Sequence, residues 1–289
     1  MTSTGNDQSS LKLENLFSVE GKVALVTGGG TGIGLMTTQA LAVNGAKVYI
    51  VGRTLEKLEK VRDTYGKDIP GDIIPMQADV SSKDDIRELV KQISSKEQHL
   101  DILINNAGIE LNSQQTEAKT AEEMSDNLFN DENETFETWT DTYRTNVPQL
   151  FFMTIAFLPL LQKATEHQEK WSAAVINVSS ISGIVKTAQH HFAYNASKAA
   201  AIHLTTMMSS EIASNGLKVR VNSIAPGVFP SEMTAGDSND AQKSSIPKEK
   251  YEDKTSALRP GKDEDMASAM LFVATNQYLQ GQTVVVDGG

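Results

Sequence analysis

From residue 22 onward, short runs of apolar and mostly β-branched residues alternate with longer stretches whose apolar positions recur at helical spacing. The runs at 23–27, 47–51, 72–77, 102–105, 174–178, 219–224 and 283–286 are nearly continuous in apolar character. Such runs predict strands of a parallel sheet covered on both faces. Between them, residues 34–44, 54–65 and 84–96 carry the helical period, and 142–165 and 194–213 predict two long helices. Strand–helix–strand repetition implies right-handed crossovers and a doubly wound α/β sheet. With no internal repeat and no Pro-, Gly- or Ser-rich linker, the pattern reads as one Rossmann-type domain over residues 19–289. A polar, flexible segment, 1–18, precedes it.

Two stretches break the rhythm. Residues 110–141 hold ten acidic residues and the single base Lys119, a local charge of −9 within a chain of net charge −11. Thr120 followed by Glu123 predicts a capping box and a short helix. Phe136, Trp139 and Tyr143 recur at helical spacing, a stripe expected to pack on the core, and the acidic run reads as a solvated face. The second stretch, 229–259, is long and polar, as lids and binding loops are.

Charge and composition narrow the function. The acidic balance argues against nucleic-acid and anionic-membrane partners, which need clustered Lys and Arg. There is no cysteine, which excludes disulfides, thiolate metal sites and Cys nucleophiles and is compatible with a cytoplasmic setting. The polar start of the chain lacks the pattern of a signal peptide. The most apolar segment, 151–161, is shorter than the ~20 residues of a membrane span and contains Pro159, so it reads as a buried helix.

After the first predicted strand comes Thr27-Gly28-Gly29-Gly30-Thr31-Gly32-Ile33-Gly34, leading into a helix. Glycines at a strand–helix turn let backbone N–H groups approach a phosphate at the positive end of the helix dipole. No Lys follows the last glycine, which disfavours a P-loop; the first strand–helix turn of an open α/β sheet is where dinucleotides bind. The second strand ends in Gly52-Arg53-Thr54 with no acid before Glu56. A carboxylate there would accept from a ribose 2′-hydroxyl, whereas Arg53 can pair with a 2′-phosphate. NADP(H) is therefore the expected cofactor, unless Arg53 is merely a solvated helix-start residue.

Tyr194-Asn195-Ala196-Ser197-Lys198 opens a long predicted helix, placing phenol and ammonium on one face. A free Tyr titrates near ~10. A nearby ammonium and an oxidised nicotinamide would favour phenolate and bring the group toward neutral pH.

Taken together, the glycine loop, Asn105-Asn106-Ala107-Gly108, the Ser179-Ser180 pair, Tyr194 with Lys198, and Pro226-Gly227 resemble the short-chain dehydrogenase/reductase family. They occur in that family's order from about residue 20 to the C-terminus. Within it, the segments 180–183 and 226–234 look like the branch with rhamnolipid-type 3-oxoacyl reductases and fungal ketoreductases. The resemblance implies a seven-stranded parallel sheet in the order 3-2-1-4-5-6-7 and hydride transfer between a nicotinamide and a carbonyl or alcohol substrate. It implies that Tyr194 donates the proton, that Lys198 lowers the Tyr194 pKa and holds the nicotinamide ribose, and that Ser180 polarises the carbonyl. Asn146 would order a water relay to Lys198. Gly28, Gly30, Thr31, Gly32, Ile33, Gly34 and Arg53 would bind the cofactor, with Asp79 and Val80 at the adenine. Asn106, Ala107 and Gly108 would line the cleft, and Pro226, Gly227 and Val228 would meet the carboxamide. Family habit also implies a homo-oligomer, dimer or tetramer.

The chain departs from the pattern in places. Ser180 stands one residue farther from Tyr194 than is commoner, which leaves Ser182 as a rival for its role. Pro148 follows Asn146 closely and would bend its helix. His190 and His191 read as partly exposed loop histidines that could line the substrate mouth; Asp101 and Asp287 read as turn or cap residues. No metal site is expected, since no zinc-hydrolase motif occurs, and no serine-hydrolase motif occurs either. The leading expectation is an NADPH-dependent reductase of a small ketone of acyl or polyketide-like character. An epimerase or dehydratase without net redox change and a non-catalytic NADP-binding scaffold are the alternatives.

Overall fold

A computed structural model describes residues 8–247, 249 and 255–289. The seven apolar runs form strands β1 (Val23–Thr27), β2 (Lys47–Gly52), β3 (Asp72–Gln77), β4 (Ile102–Asn105), β5 (Ala174–Val178), β6 (Arg220–Pro226) and β7 (Thr283–Val286). They join one sheet in the order β3-β2-β1-β4-β5-β6-β7, all parallel, with Val26 beside Ile50 on one flank and Ile104 on the other.

Alternate residues of each strand feed two cores. Ala24, Val26, Val48, Ile50 and Ile104 meet helices α2 (Gly32–Val43), α3 (Leu55–Tyr65) and α10 (Asp263–Thr275). Leu25, Tyr49, Val51, Leu103 and Val175 meet α4 (Lys83–Ser94), α7 (Pro148–His167) and α8 (Phe192–Ser214) on the opposite face. Near-continuous apolar strands are what such a two-sided burial requires.

The N-terminal edge of the sheet is fastened by Asp101, which is completely buried. One carboxylate oxygen accepts from Val23 N at 2.8 Å and the other from Gln168 Nε2 at 2.8 Å. Lys22 Nζ stands 3.8 Å from Asp101 and 3.9 Å above the Trp171 ring. The sequence reading of Asp101 as a cap describes this role.

Several expectations need correction. The helix read at 142–165 is two: α6 (Phe136–Asn146) and α7, with Val147 at φ −118° and ψ −63° between them. Pro148 cannot donate a backbone bond but fits the first turn of a helix, so it restarts the helix at the break. Pro159, by contrast, lies inside α7 without ending it. The stripe on α6 does not pack on the core: Phe136 is 91% exposed, Trp139 43% and Tyr143 49%. Those residues face outward because α6 turns Thr142 and Asn146 inward instead.

In the acidic insertion, Thr120 caps α5 (Ala121–Phe129) by accepting from Glu123 N, while the Glu123 carboxylate reaches Lys119 N rather than closing the box on Thr120. An 18-residue stretch within residues 136–167 is apolar enough to cross a membrane by composition, with mean hydropathy 1.3, and half of it is buried. In the N-terminal segment, residues 9–11 form a 3-10 turn and Leu13–Leu16 a short helix, α1, neither with a buried residue. Residues 1–7 of that segment, and residues 248 and 250–254 of the expected lid, lie outside the described residues. The described part of the lid contains the short helix α9 (Glu232–Ala235).

Candidate active site

The carboxyl ends of the strands open into a cleft of about 430 Å³ that runs from the glycine loop to Tyr194 and Lys198. At its floor Gly28 adopts φ +65°, and its N–H donates to Val51 O at 2.7 Å. A Cβ on Gly34 would lie 2.0 Å from Gly28 O, and one on Gly32, at φ +53°, would strike Ser231. Larger residues would therefore fill the turn. Asn106 braces it, its amide donating to Thr27 O and Gly28 O at 3.0 and 3.2 Å. No side chain caps α2, so its first N–H groups are free to serve an anion. This cradle and its orphan donors fit a dinucleotide pyrophosphate.

Most of the residues expected to bind the cofactor meet in this one space. Gly28, Gly30, Thr31, Gly32 and Ile33 line its floor, and Arg53, Asp79 and Val80 one end; Asn106, Ala107 and Gly108 lie beside Tyr194 and Lys198. Gly34 is buried behind Gly28 as a packing position. Pro226 ends β6 and Gly227 and Val228 follow it, but none of the three lines the cleft. Gly227 is pinned there, its N–H donating to Val286 O at 2.9 Å. At Asp79, burial pushes the carboxyl up, but hydrogen bonds from Ser81 and the charges of Arg53 and Arg144 outweigh it and leave the pKa lowered.

At the other end stand the polar groups. Ser180, a residue 8% exposed, lies near enough to Tyr194 for its hydroxyl to favour the phenolate. Ser182 donates its backbone N–H to Ser180 Oγ at 3.1 Å, and of the two serines it is Ser180 whose hydroxyl acts on the phenol. Lys198 is buried, donates to Val178 O at 3.1 Å, and lies 5.5 Å from the centre of the Tyr194 ring. Asn146, at the last turn of α6, accepts from Ile109 N at 2.8 Å and donates to Ile109 O and Ser197 Oγ at 2.9 and 3.0 Å. It approaches Lys198 across Gly108. A Cβ on Gly108 would lie 3.1 Å from Asn146 Oδ1 and 3.4 Å from Lys198 Nζ.

The protein's own groups do not by themselves bring the phenol toward neutral pH. Burial pushes the Tyr194 phenol up to about 12, opposed by the Ser180 hydrogen bond and reinforced by the Glu110 carboxylate. Burial also lowers Lys198 to about 8, against the pull of Glu110.

The family model described as short chain dehydrogenase matches residues 22–242. The chain belongs to the short-chain dehydrogenase/reductase family. Among curated relatives, this short-chain dehydrogenase is 40% identical to "Short-chain dehydrogenase/reductase PhomF" of Diaporthe leptostromiformis, over 97% of this chain and 94% of that one. It is 33% identical to the rhamnolipids biosynthesis 3-oxoacyl-[acyl-carrier-protein] reductase of Pseudomonas aeruginosa, covering 94% and 97%. A solved structure titled "Pseudomonas aeruginosa RhlG/NADP active-site complex" superposes with a TM-score of 0.77 at 32% identity, covering 95% of this chain and 98% of that one.

Sequence reasoning missed two groups in this dehydrogenase. Lys57, on the first turns of α3, pairs with Glu232 of α9 at 2.7 Å, and both line the cleft. Its spacing of four from Arg53 was the available signal. Glu110, the second residue after Asn106-Ala107-Gly108, pairs with His191 three residues before Tyr194, at 2.6 Å.

Proposed function

We propose that this protein is an NADPH-dependent reductase interconverting a ketone and a secondary alcohol on a small organic substrate, acyl or polyketide-like in character. One observation carries the reading: Tyr194 and the buried Lys198 line the far end of a cleft that begins at a glycine cradle, with the Ser180 hydroxyl acting on the phenol. The dinucleotide supplies the hydride when bound. Tyr194 donates its proton to the carbonyl oxygen, and its raised pKa keeps the phenol protonated at neutral pH as a proton donor must be. Ser180 donates a hydrogen bond to the same oxygen as negative charge develops there. Lys198 and Asn146 hold the sugar side and the path by which Tyr194 regains its proton.

Support for NADPH over NADH comes from Arg53, and from Lys57 one helical turn later, beside the place a 2′-phosphate would occupy. A cytoplasmic setting and a homo-oligomer belong to the same proposal, as does the absence of nucleic-acid and membrane partners, in keeping with a net charge of −11. The test is steady-state kinetics on a panel of ketones and acyl thioesters with each cofactor. NADPH is expected to give the higher kcat/KM, and Tyr194→Phe to lose about 10²–10⁴-fold in kcat while still binding NADPH. Near-normal turnover by that variant would remove the reading.

A further inference from the structure

Helix α8 carries Tyr194 in its first turn, where helices fray unless their leading N–H groups find acceptors. The helical ladder begins with Asn195 N donating to His191 O at 2.9 Å, so the N–H groups of Phe192, Ala193 and Tyr194 stand ahead of it. His191 occupies the N-cap but makes no side-chain cap bond. The cap comes instead from the acidic insertion. Gln114 Oε1 accepts from Phe192 N at 3.2 Å, across 78 residues of chain.

Gln114 is itself buried, at 4% exposure, and each of its polar groups is used. Its N–H donates to His190 O at 2.7 Å, and its carbonyl faces His190 Nδ1 at 3.0 Å. A carbonyl only accepts, so that nitrogen carries the proton. The turn clamped in this way is a strained one, for Gln189 and His190 take φ of 50° and 69° in succession. Residues other than glycine hold that conformation only where their surroundings over-determine it. The Gln114 side-chain amide donates to Glu134 Oε2, and the other Glu134 oxygen is buried with no partner among the described residues. Glu134 immediately precedes Thr135, the N-cap of α6. One side chain thus ties the start of the helix that carries Tyr194 and Lys198 to the start of the helix that carries Asn146.

We infer that Gln114 is a positioning residue for the reaction, fixing the first turn of α8, and with it the Tyr194 phenol, from within the acidic insertion. The inference rests on the proposed reductase reading for its effect on turnover. Farther along α8 the chain has other anchors: Ser197 Oγ accepts from Asn146 at 3.0 Å and Lys198 donates to Val178 O at 3.1 Å. Loosening the first turn therefore shifts Tyr194 against a stationary Lys198, and a displacement of about 1 Å at a reacting group costs about 10²-fold in rate. Gln114 does not line the cofactor cleft, so cofactor binding is not expected to follow the loss.

Exchanging the amide and the carboxylate tests this. Gln114→Glu keeps the shape and an acceptor for Phe192 N, but sets two carboxylates against each other with no donor between them. Adding Glu134→Gln returns the donor from the opposite side. With a ketone that the wild type reduces, Gln114→Glu is expected to lower kcat about 10²-fold at unchanged KM for NADPH, and the double variant to recover most of that loss. Wild-type kcat in Gln114→Glu, a kcat that stays low in the double variant, or a rise in KM for NADPH that matches the loss in kcat overturns the inference. Hydrogen–deuterium exchange reads the clamp without turnover. Amides of 190–195 are expected to exchange about tenfold faster in Gln114→Glu, those of 200–210 at the wild-type rate, with protection restored in the double variant. Unchanged protection at 190–195 overturns the inference. Failure of every protein, wild type included, to reduce any ketone counts against the reductase reading alone, since the exchange pattern still decides the clamp.

Discussion

Lys198 is enclosed by Val178, Gly108 and the Tyr194 ring, and burial has opposite effects on the two titrating groups it holds together. Desolvation disfavours the charged form of each, so the lysine falls to about 8 and the tyrosine rises to about 12. An ordinary lysine keeps its proton to about 10.4; here the ammonium is present below pH about 8 and lost as pH rises through it. On the proposed reading, kcat/KM for ketone reduction is therefore level below pH about 8 and declines above it, while the phenol stays protonated throughout that range. A pH–rate profile whose decline starts only near pH 10 would show that burial does not lower Lys198. The residues of this site were legible as residue types in a fixed order, Gly28 through Lys198. Their electrostatics were not, because the pull of Glu110 on Tyr194 depends on two loops far apart in the chain meeting in space. Nothing in the spacing of Glu110 and His191 announces that meeting.

At the scale of elements, the strands were legible almost to the residue, since each run is buried on both faces and has no competing pattern. Errors fell where a helix has one partner. Phe136, Trp139 and Tyr143 form a true helical stripe, but period alone does not say whether a stripe faces the core, and α6 spends its inward face on Thr142 and Asn146. The break at Val147 likewise needed the geometry, for Pro148 is tolerated at a helix start as well as being a helix breaker. At the other end of the sheet, β1 begins on the buried Asp101 carboxylate. Asp101→Ala strands Val23 N–H, the Gln168 amide and a half-buried Lys22. The expected loss is about 3–5 kcal/mol, seen as a fall of about 6–20 °C in Tm for a chain of this size. A melting temperature unchanged in that variant would show that the cluster contributes nothing net.

For the molecule as a whole, Phe151 and Ile155 of α7 and Met207 of α8 are exposed as well as the stripe on α6. Large exposed apolar surfaces are uncommon on monomers, and we expect a second copy of the chain to cover these residues. Light scattering should find a dimer or larger assembly in the wild type and a smaller species in the double variant Phe151→Glu, Ile155→Glu. A monomeric wild type would refute it.

The parallel sheet also separates two kinds of residue by its whole length, Asp101 with Lys22 at one edge and the cradle, Tyr194 and Glu110 at the other. Polar groups buried for catalysis cost stability, whereas the Asp101 cluster sits at the opposite ends of the strands from the cleft. Tolerance to heat and choice of substrate are thus separately adjustable traits. A laboratory lineage could harden the fastened edge first and then vary the loops at the open one, accumulating new specificities on a scaffold that has already absorbed their cost.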